Sequence, residues 1–228
     1  DNADRISDDW KAFDRAIDSN HGVPEAAARL KERLRDFRHT HAAAQLGVSA
    51  VAALPGDRLS AALMVKSHGT VSVDGKVSDA DLTYLEEVAN STGQEVDKSR
   101  LTSQAFARAA LITDVGIALA TELETAGQKW SLGFTPKFQR VDLFNYNVLV
   151  RNYDSSAFKG DRYHNTKNGI NADIGASTDL DDNWTLGLVA QNLIPRSIET
   201  KEVNGITETF RIRPQVTAGV SWHNAMFT

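Results

Sequence analysis

The 228-residue sequence contains no cysteine. That absence excludes a disulfide-stapled scaffold, a Cys-ligated zinc site, an iron–sulfur centre and thiol catalysis or redox chemistry. Cationic residues are in the minority: 25 Lys and Arg stand against 30 Asp and Glu, for a net charge of −5. Nucleic acid is therefore not an expected direct partner, because phosphate binding calls for a clustered cationic excess. Charged residues make up 24% of the chain but are interspersed and form no acidic or basic tail. No apolar run approaches the roughly 20 residues of a membrane-spanning helix. A strand-built membrane wall is not excluded, since half of its residues face away from lipid and the hydropathy stays modest. The sequence opens on DNADRISDDW, with neither Met nor a signal sequence, and reads as an excised or processed product. The length allows one large domain or two small ones with a real core.

The first forty residues predict a helical hairpin, taken as segment 1–40. Ile6, Trp10, Phe13 and Ile17 form one stripe at helical spacing, with Ser7 or Asp8 as candidate caps and Gly22 as the stop. Pro24 suits a first helical position, and Ala27, Leu30, Leu34 and Phe37 form a second stripe. An amphipathic hairpin docked on the rest of the protein is expected. The alternative, a membrane-surface helix, is weakened by Glu25, Glu32 and Asp36.

From about residue 41 the period falls from 3.6 to 2, which defines an antiparallel β region over 41–228. Arg58 to Val73 holds one alternation for sixteen residues, with Leu59, Leu63, Val65 and Val71 opposite Arg58, Lys66, His68 and Ser72. Extended at ~3.3 Å per residue, such a strand spans about 50 Å, longer than most soluble domains need. The same pattern predicts strands over 42–54, 100–124, 129–141, 169–180, 184–194 and 210–222, making seven with Arg58–Val73. Short turns (54–57, 125–128, 181–183) alternate with long connections (74–98, 143–164, 195–208). In an up-and-down meander, all the short turns then share one rim, the asymmetry of outer-membrane barrels. The insertion at 74–98 carries one helix, with Ser78 and Asp81 as a capping-box-like pair, Leu82, Leu85 and Val88 as its stripe and Gly93 as its stop.

Trp130, Trp184 and Trp222 share the apolar parity of their strands and fall at the short-turn rim. They read as an aromatic girdle at a membrane interface, or alternatively as the buried end of a soluble β-sandwich. The opposite parity carries Arg58, Lys66, His68, Arg108, Asp114, Glu122, Lys129, Lys137, Asp173, Arg211 and Arg213. In a barrel these residues face the lumen; in a soluble sheet they are the solvated side.

Little in the sequence speaks for catalysis. Gly69-(x5)-Gly75-Lys76-Val77 has the wrong spacing for a phosphate loop and lacks its hydroxyl. Thr70, Ser72, Asp74, Gly75 and Asp81 only partly fit a calcium loop, and an Asp-Gly turn is the expected reading. His39 and His41 lack a third metal ligand nearby, while His21, His68, His164 and His223 are scattered. No nucleophile elbow and no spaced acid/base pair is present. A non-enzymatic protein without metal or cofactor is expected.

Several stretches carry a resemblance: Leu132-Gly133-Phe134-Thr135-Pro136-Lys137-Phe138-Gln139-Arg140, Asn183-Trp184-Thr185-Leu186-Gly187-Leu188, Gln191-Asn192-Leu193-Ile194-Pro195 and Gly219-Val220-Ser221-Trp222-His223. Together they resemble the conjugal transfer TraF family of outer-membrane β-barrel proteins, distantly similar to FadL-type channels. The thioredoxin-like protein of the same name is excluded by the missing cysteine. The resemblance covers about residue 41 to the end and implies a Gram-negative outer-membrane component of plasmid conjugation. It further implies outer-membrane lipid and conjugation-apparatus proteins as partners. Family members are longer and barrels usually even-stranded, so an internal portion of a larger wall is expected. The alternatives are a channel for small hydrophobic compounds and a soluble periplasmic binding or scaffold module.

Overall fold

The computed structural model describes residues 2–38, 41–54, 56, 58–91, 95–125, 127–152 and 160–222. Two helices come first, α1 (Asn2–Ser19) and α2 (Val23–Phe37). Strands β1 (His41–Leu54) and β2 (Ser60–Lys76) follow, then helix α3 (Asp79–Asn90). Next are the long strands β3 (Gln104–Thr125), β4 (Gln128–Leu149) and β5 (His164–Asp179). The chain closes with β6 (Trp184–Gln191), β7 (Arg196–Glu199), β8 (Thr209–Ile212) and β9 (Gln215–Trp222).

Seven strands pair antiparallel in the order β1-β2-β3-β4-β5-β6-β9, a meander that curls into a half-barrel with β1 and β9 at its edges. The turns β1–β2, β3–β4 and β5–β6 lie on one rim, and the three long connections leave the sheet at the other, where the helices pack. Faces follow the parity read from the sequence. The register sets Lys66 opposite Asp114, and Asp114 opposite Gln139, on the inner face. Leu63 faces Ile117, and Leu119 faces Phe134, on the outer one.

One expected strand divides. Residues 210–222 were expected to run continuously, but β8 leaves the wall and pairs with β7 as a separate two-stranded sheet. Pro214, between β8 and β9, has no N–H to give a ladder and ends the pairing there. Ile198, Phe210 and Ile212 of this hairpin pack on Ala110, Ile112, Val141 and Leu143, so the hairpin covers the inner face. Strand β4 also outruns its expected end at 141, reaching Leu149.

The three helices form one apolar unit at the long-connection rim. Phe13, Ala27, Leu30, Leu34, Phe37, Leu85 and Val88 are buried together, with Leu101, Ala105 and Val150 from the sheet end. Both predicted stripes are thus covered in this unit, Ile17 only in part. Helix α1 begins at Asn2, so Ser7 and Asp8 lie inside it and do not cap it. Gly22, with φ +69°, supplies the left-handed turn that opens α2. The expected Ser78–Asp81 cap does not form, as Ser78 makes no side-chain cap bond. Asp81 instead accepts from the backbone N–H groups of Thr102 (2.8 Å) and Ser103 (2.6 Å). At the 3₁₀ turn Lys98–Arg100, Asp97 accepts from the Ser99 hydroxyl and N–H, which holds its carboxyl below the ordinary 3.8. That contribution is present above 3.8 and fades as pH falls through the lowered value.

Gly75 marks where the helical unit meets β2. A Cβ there would lie 2.5 Å from two ring carbons of the buried Phe37. Gly75→Ala is expected to destabilise the protein by about 1–3 kcal/mol through overpacking. Denaturant unfolding checks this, and a parent-like midpoint would show that Phe37 does not seat the helices on the strand.

Candidate functional site

The inner face carries a polar cluster built from three neighbouring strands. Lys137 on β4 is almost fully buried, with Nζ 3.1 Å from Asp114 Oδ2 on β3 and 2.9 Å from Asp173 Oδ1 on β5. Gln139, two residues along β4, donates from Nε2 to Asp114 Oδ1 at 3.0 Å. Both oxygens of Asp114 are therefore engaged. Asp173 Oδ1 also accepts the Asn192 N–H at 2.7 Å, just beyond the end of β6. Asn171 binds the same connection, donating to the Ile194 carbonyl and accepting from the Ile194 N–H, each at 3.0 Å. Arg196, opening β7, donates to Gln139 Oε1 (3.1 Å) and to the Asn168 carbonyl (3.0 Å). The polar residues of the wall thus hold the segment that leads into the covering hairpin.

A second latch lies further along β3. Arg108 Nη2 is 2.9 Å from Glu208 Oε1, just before β8, and its Nη1 is 3.7 Å from Asp74 on β2. Asp74 also pairs with His41 at the start of β1. Between the latches, wall and hairpin enclose a cavity of about 330 Å³. Lys66, His68, Asp114 and Lys137 reach it from the wall, and Arg211 and Arg213 from β8 and the residue beyond.

The inner-face residues expected from the sequence thus separate into three groups. Lys66, His68, Arg108, Asp114, Lys137 and Asp173 sit on inner-face positions of β2–β5. Glu122 and Lys129 have the same parity but lie exposed toward the short-turn rim, opposite Ser131 and Glu124. Arg58 falls in the β1–β2 turn, outside any strand, and Arg211 and Arg213 are not part of the wall. Sequence reasoning missed Gln139, Asn171, Asn192 and Arg196. Gln139 and Asn171 had the right parity, and the signal that could have singled them out is their bulk opposite charged neighbours.

The outer face of the wall is apolar and exposed. Leu46, Leu63, Ile117, Phe134, Leu188 and Val220 are each about half exposed or more, while Lys137 and Gln139 inside are nearly inaccessible. Trp184 lies directly opposite Trp222, and Trp130 opposite Leu123, all at the short-turn rim on the outer face. Above this apolar zone the outer face turns polar. Asp142 there accepts from Arg140 (2.8 Å), His164 (3.0 Å) and the Thr166 hydroxyl.

Other candidates fall away. Thr70, Ser72, Asp74 and Gly75 lie in extended β2 and form no calcium loop. No cluster of three His, Asp or Glu suited to a metal occurs among the described residues. His39, His223 and Gly93 lie outside the described residues. No described helix is long and apolar enough to cross a membrane.

Compared with known families, residues 1–228 match the family described as F plasmid transfer operon, TraF, protein. Neither a curated protein nor a solved structure matches the chain.

Proposed function

The chain belongs to the F plasmid transfer operon TraF family, and from that membership we propose that it serves conjugal plasmid transfer as a non-enzymatic, outer-membrane β-barrel component. The single observation behind the membrane reading is the height of the outer apolar band. On β4 it runs from Trp130 through Leu132, Phe134 and Phe138, and then gives way to Arg140 and Asp142. About nine residues is the length a tilted strand needs to cross a hydrocarbon core. Indoles at one border and hydrogen-bonded polar groups at the other match the interfaces of such a wall. In water the same band would expose many large apolar side chains side by side, the kind of surface that marks an interaction site.

Fractionation and gel heat-modifiability of the full-length protein test this reading. Recovery in the outer-membrane fraction, with a folded band that shifts on boiling, is expected. A periplasmic protein that runs identically boiled and unboiled would refute it. The variant Ile117→Arg sharpens the contrast. Facing lipid near the midplane it costs about 2–4 kcal/mol, whereas an exposed site in water changes by roughly 0.5 kcal/mol or less. Refolding yield into bilayers against detergent-free solubility separates the two.

A second reading, a channel for small hydrophobic compounds, is favoured by a further cavity of about 390 Å³ on the inner side. Ala43, Ala110, Leu143 and Phe210 contribute to its lining. Conductance or uptake that rises when the β7–β8 hairpin is removed would support it.

A further inference from the structure

We propose that the cavity between the inner face and the β7–β8 hairpin binds a small organic oxyanion, a carboxylate or phosphate on a short apolar body. Four cationic side chains line this space, Lys66, Lys137, Arg211 and Arg213, and Asp114 is the one carboxylate among the lining residues. The local sign is therefore opposite to the chain's net charge of −5.

The charges in the cavity are also unequal in availability. Lys137 lies between Asp114 and Asp173, and Gln139 takes the other oxygen of Asp114. These three charges neutralise much of one another, with Lys137 and Asp114 buried and Asp173 partly so. Lys66 stands directly across the ladder from Asp114, yet that carboxylate is occupied by its other neighbours. Among the described residues no carboxylate lies within 4.0 Å of the charged atoms of Lys66, Arg211 or Arg213, since no ion pair involves them. Three exposed cations thus border a partly enclosed space, where low-dielectric walls strengthen their field on an incoming anion. Guanidinium groups add the planar forks that suit carboxylate and phosphate oxygens.

The remaining lining defines the rest of the ligand. Ala110, Ile112, Phe210 and Ile212 provide apolar surface beside the cations. A cavity of about 330 Å³ is at the small end of ligand pockets. A charged head with a short hydrocarbon part fits this division, and a long lipid does not. The inference rests on the hairpin over the inner face and is independent of whether the outer face meets lipid.

The test is calorimetric titration of the full-length protein in a non-ionic detergent with octanoate, inorganic phosphate and the neutral 1-octanol. Octanoate is expected to bind, and 1-octanol to bind much more weakly. Binding of phosphate as well would show that the oxyanion alone suffices; octanoate alone would show that the apolar part is needed. The double variant Lys66→Gln/Arg213→Gln changes only exposed side chains and should keep the parent's circular dichroism. Losing two charged hydrogen-bond donors is expected to weaken octanoate binding by about tenfold or more. Lys66→Arg should restore part of it. Absence of binding by either anion, equal affinity for 1-octanol, or an unchanged affinity in the double variant would overturn the proposal. Heat-modifiability does not depend on any of these outcomes, so the pocket and the membrane wall fail separately.

Discussion

Lys137→Met is expected to destabilise the wall more than any other single change on its inner face. Lys137 is the shared partner of two carboxylates, 3.1 Å from Asp114 and 2.9 Å from Asp173, and its side chain is 3% exposed. The thioether fills much of the same volume but carries no charge. It would leave two carboxylates on β3 and β5, the strands on either side of β4, with no ammonium between them. Removing one partner of a buried ion pair costs about 3–5 kcal/mol, a large part of the 5–15 kcal/mol that holds a typical domain together. Urea unfolding of the detergent-folded protein, followed by the strand signal in circular dichroism, checks this. The triple variant Lys137→Met/Asp114→Asn/Asp173→Asn should recover much of the loss, because no charge is then buried unpaired. If Lys137→Met unfolds at the parent midpoint, water reaches the cluster freely and the hairpin does not seal the inner face. If the triple variant is no more stable than the single one, the cost lies in packing and not in charge.

The alternation that revealed the wall works only where the two faces meet different surroundings. Along β2 the inner residues are Lys66, His68 and Thr70 and the outer ones Leu63, Val65 and Val71, and the strand was legible almost residue by residue. Beyond Gln139 the contrast fails. Val141 and Leu143 are apolar on the inner side because the hairpin covers them, so β4 loses its period where it gains a second apolar contact. The same contact hid the hairpin itself. Ile212 and Val216 share one parity, and nothing local shows that Ile212 turns inward to Val141 while Val216 stays outward and 69% exposed. Pro214 was the available signal, since a proline has no N–H to give to a ladder, although Pro136 shows that one can be carried inside β4. The polar cluster was half legible. Parity placed Lys137, Asp114 and Asp173 on one side, but Arg196 and Asn192 reach them only through a connection whose path is set by tertiary contacts.

Asp81→Ala is expected to release helix α3 from the sheet. Asp81 is 1% exposed and lies in the first turn of the helix, where sequence spacing suggested a cap. Its partners are instead more than twenty residues away. It accepts from the Thr102 N–H at 2.8 Å and the Ser103 N–H at 2.6 Å, and from both hydroxyls, that of Ser103 at 2.6 Å and that of Thr102 at 3.2 Å. The Ser103 hydroxyl in turn accepts the Ser78 N–H at 3.2 Å, and the Ser103 carbonyl accepts the Val150 N–H at 2.8 Å. One carboxylate therefore joins the start of α3, the approach to β3 and the end of β4. Alanine leaves two backbone N–H groups without that acceptor, at about 1–3 kcal/mol for each that stays buried. A combined loss of roughly 3 kcal/mol corresponds to a fall in melting temperature of about 6–12 °C at this chain length. The amides of Thr102 and Ser103 should lose their protection from hydrogen exchange, while those in the middle of β3 keep theirs. Asp81→Asn retains one carbonyl oxygen and should fall between alanine and the parent. A uniform loss of protection along β3 would mean that helices and wall unfold as one unit. Unchanged protection at residues 102 and 103 would mean that other groups hold the junction.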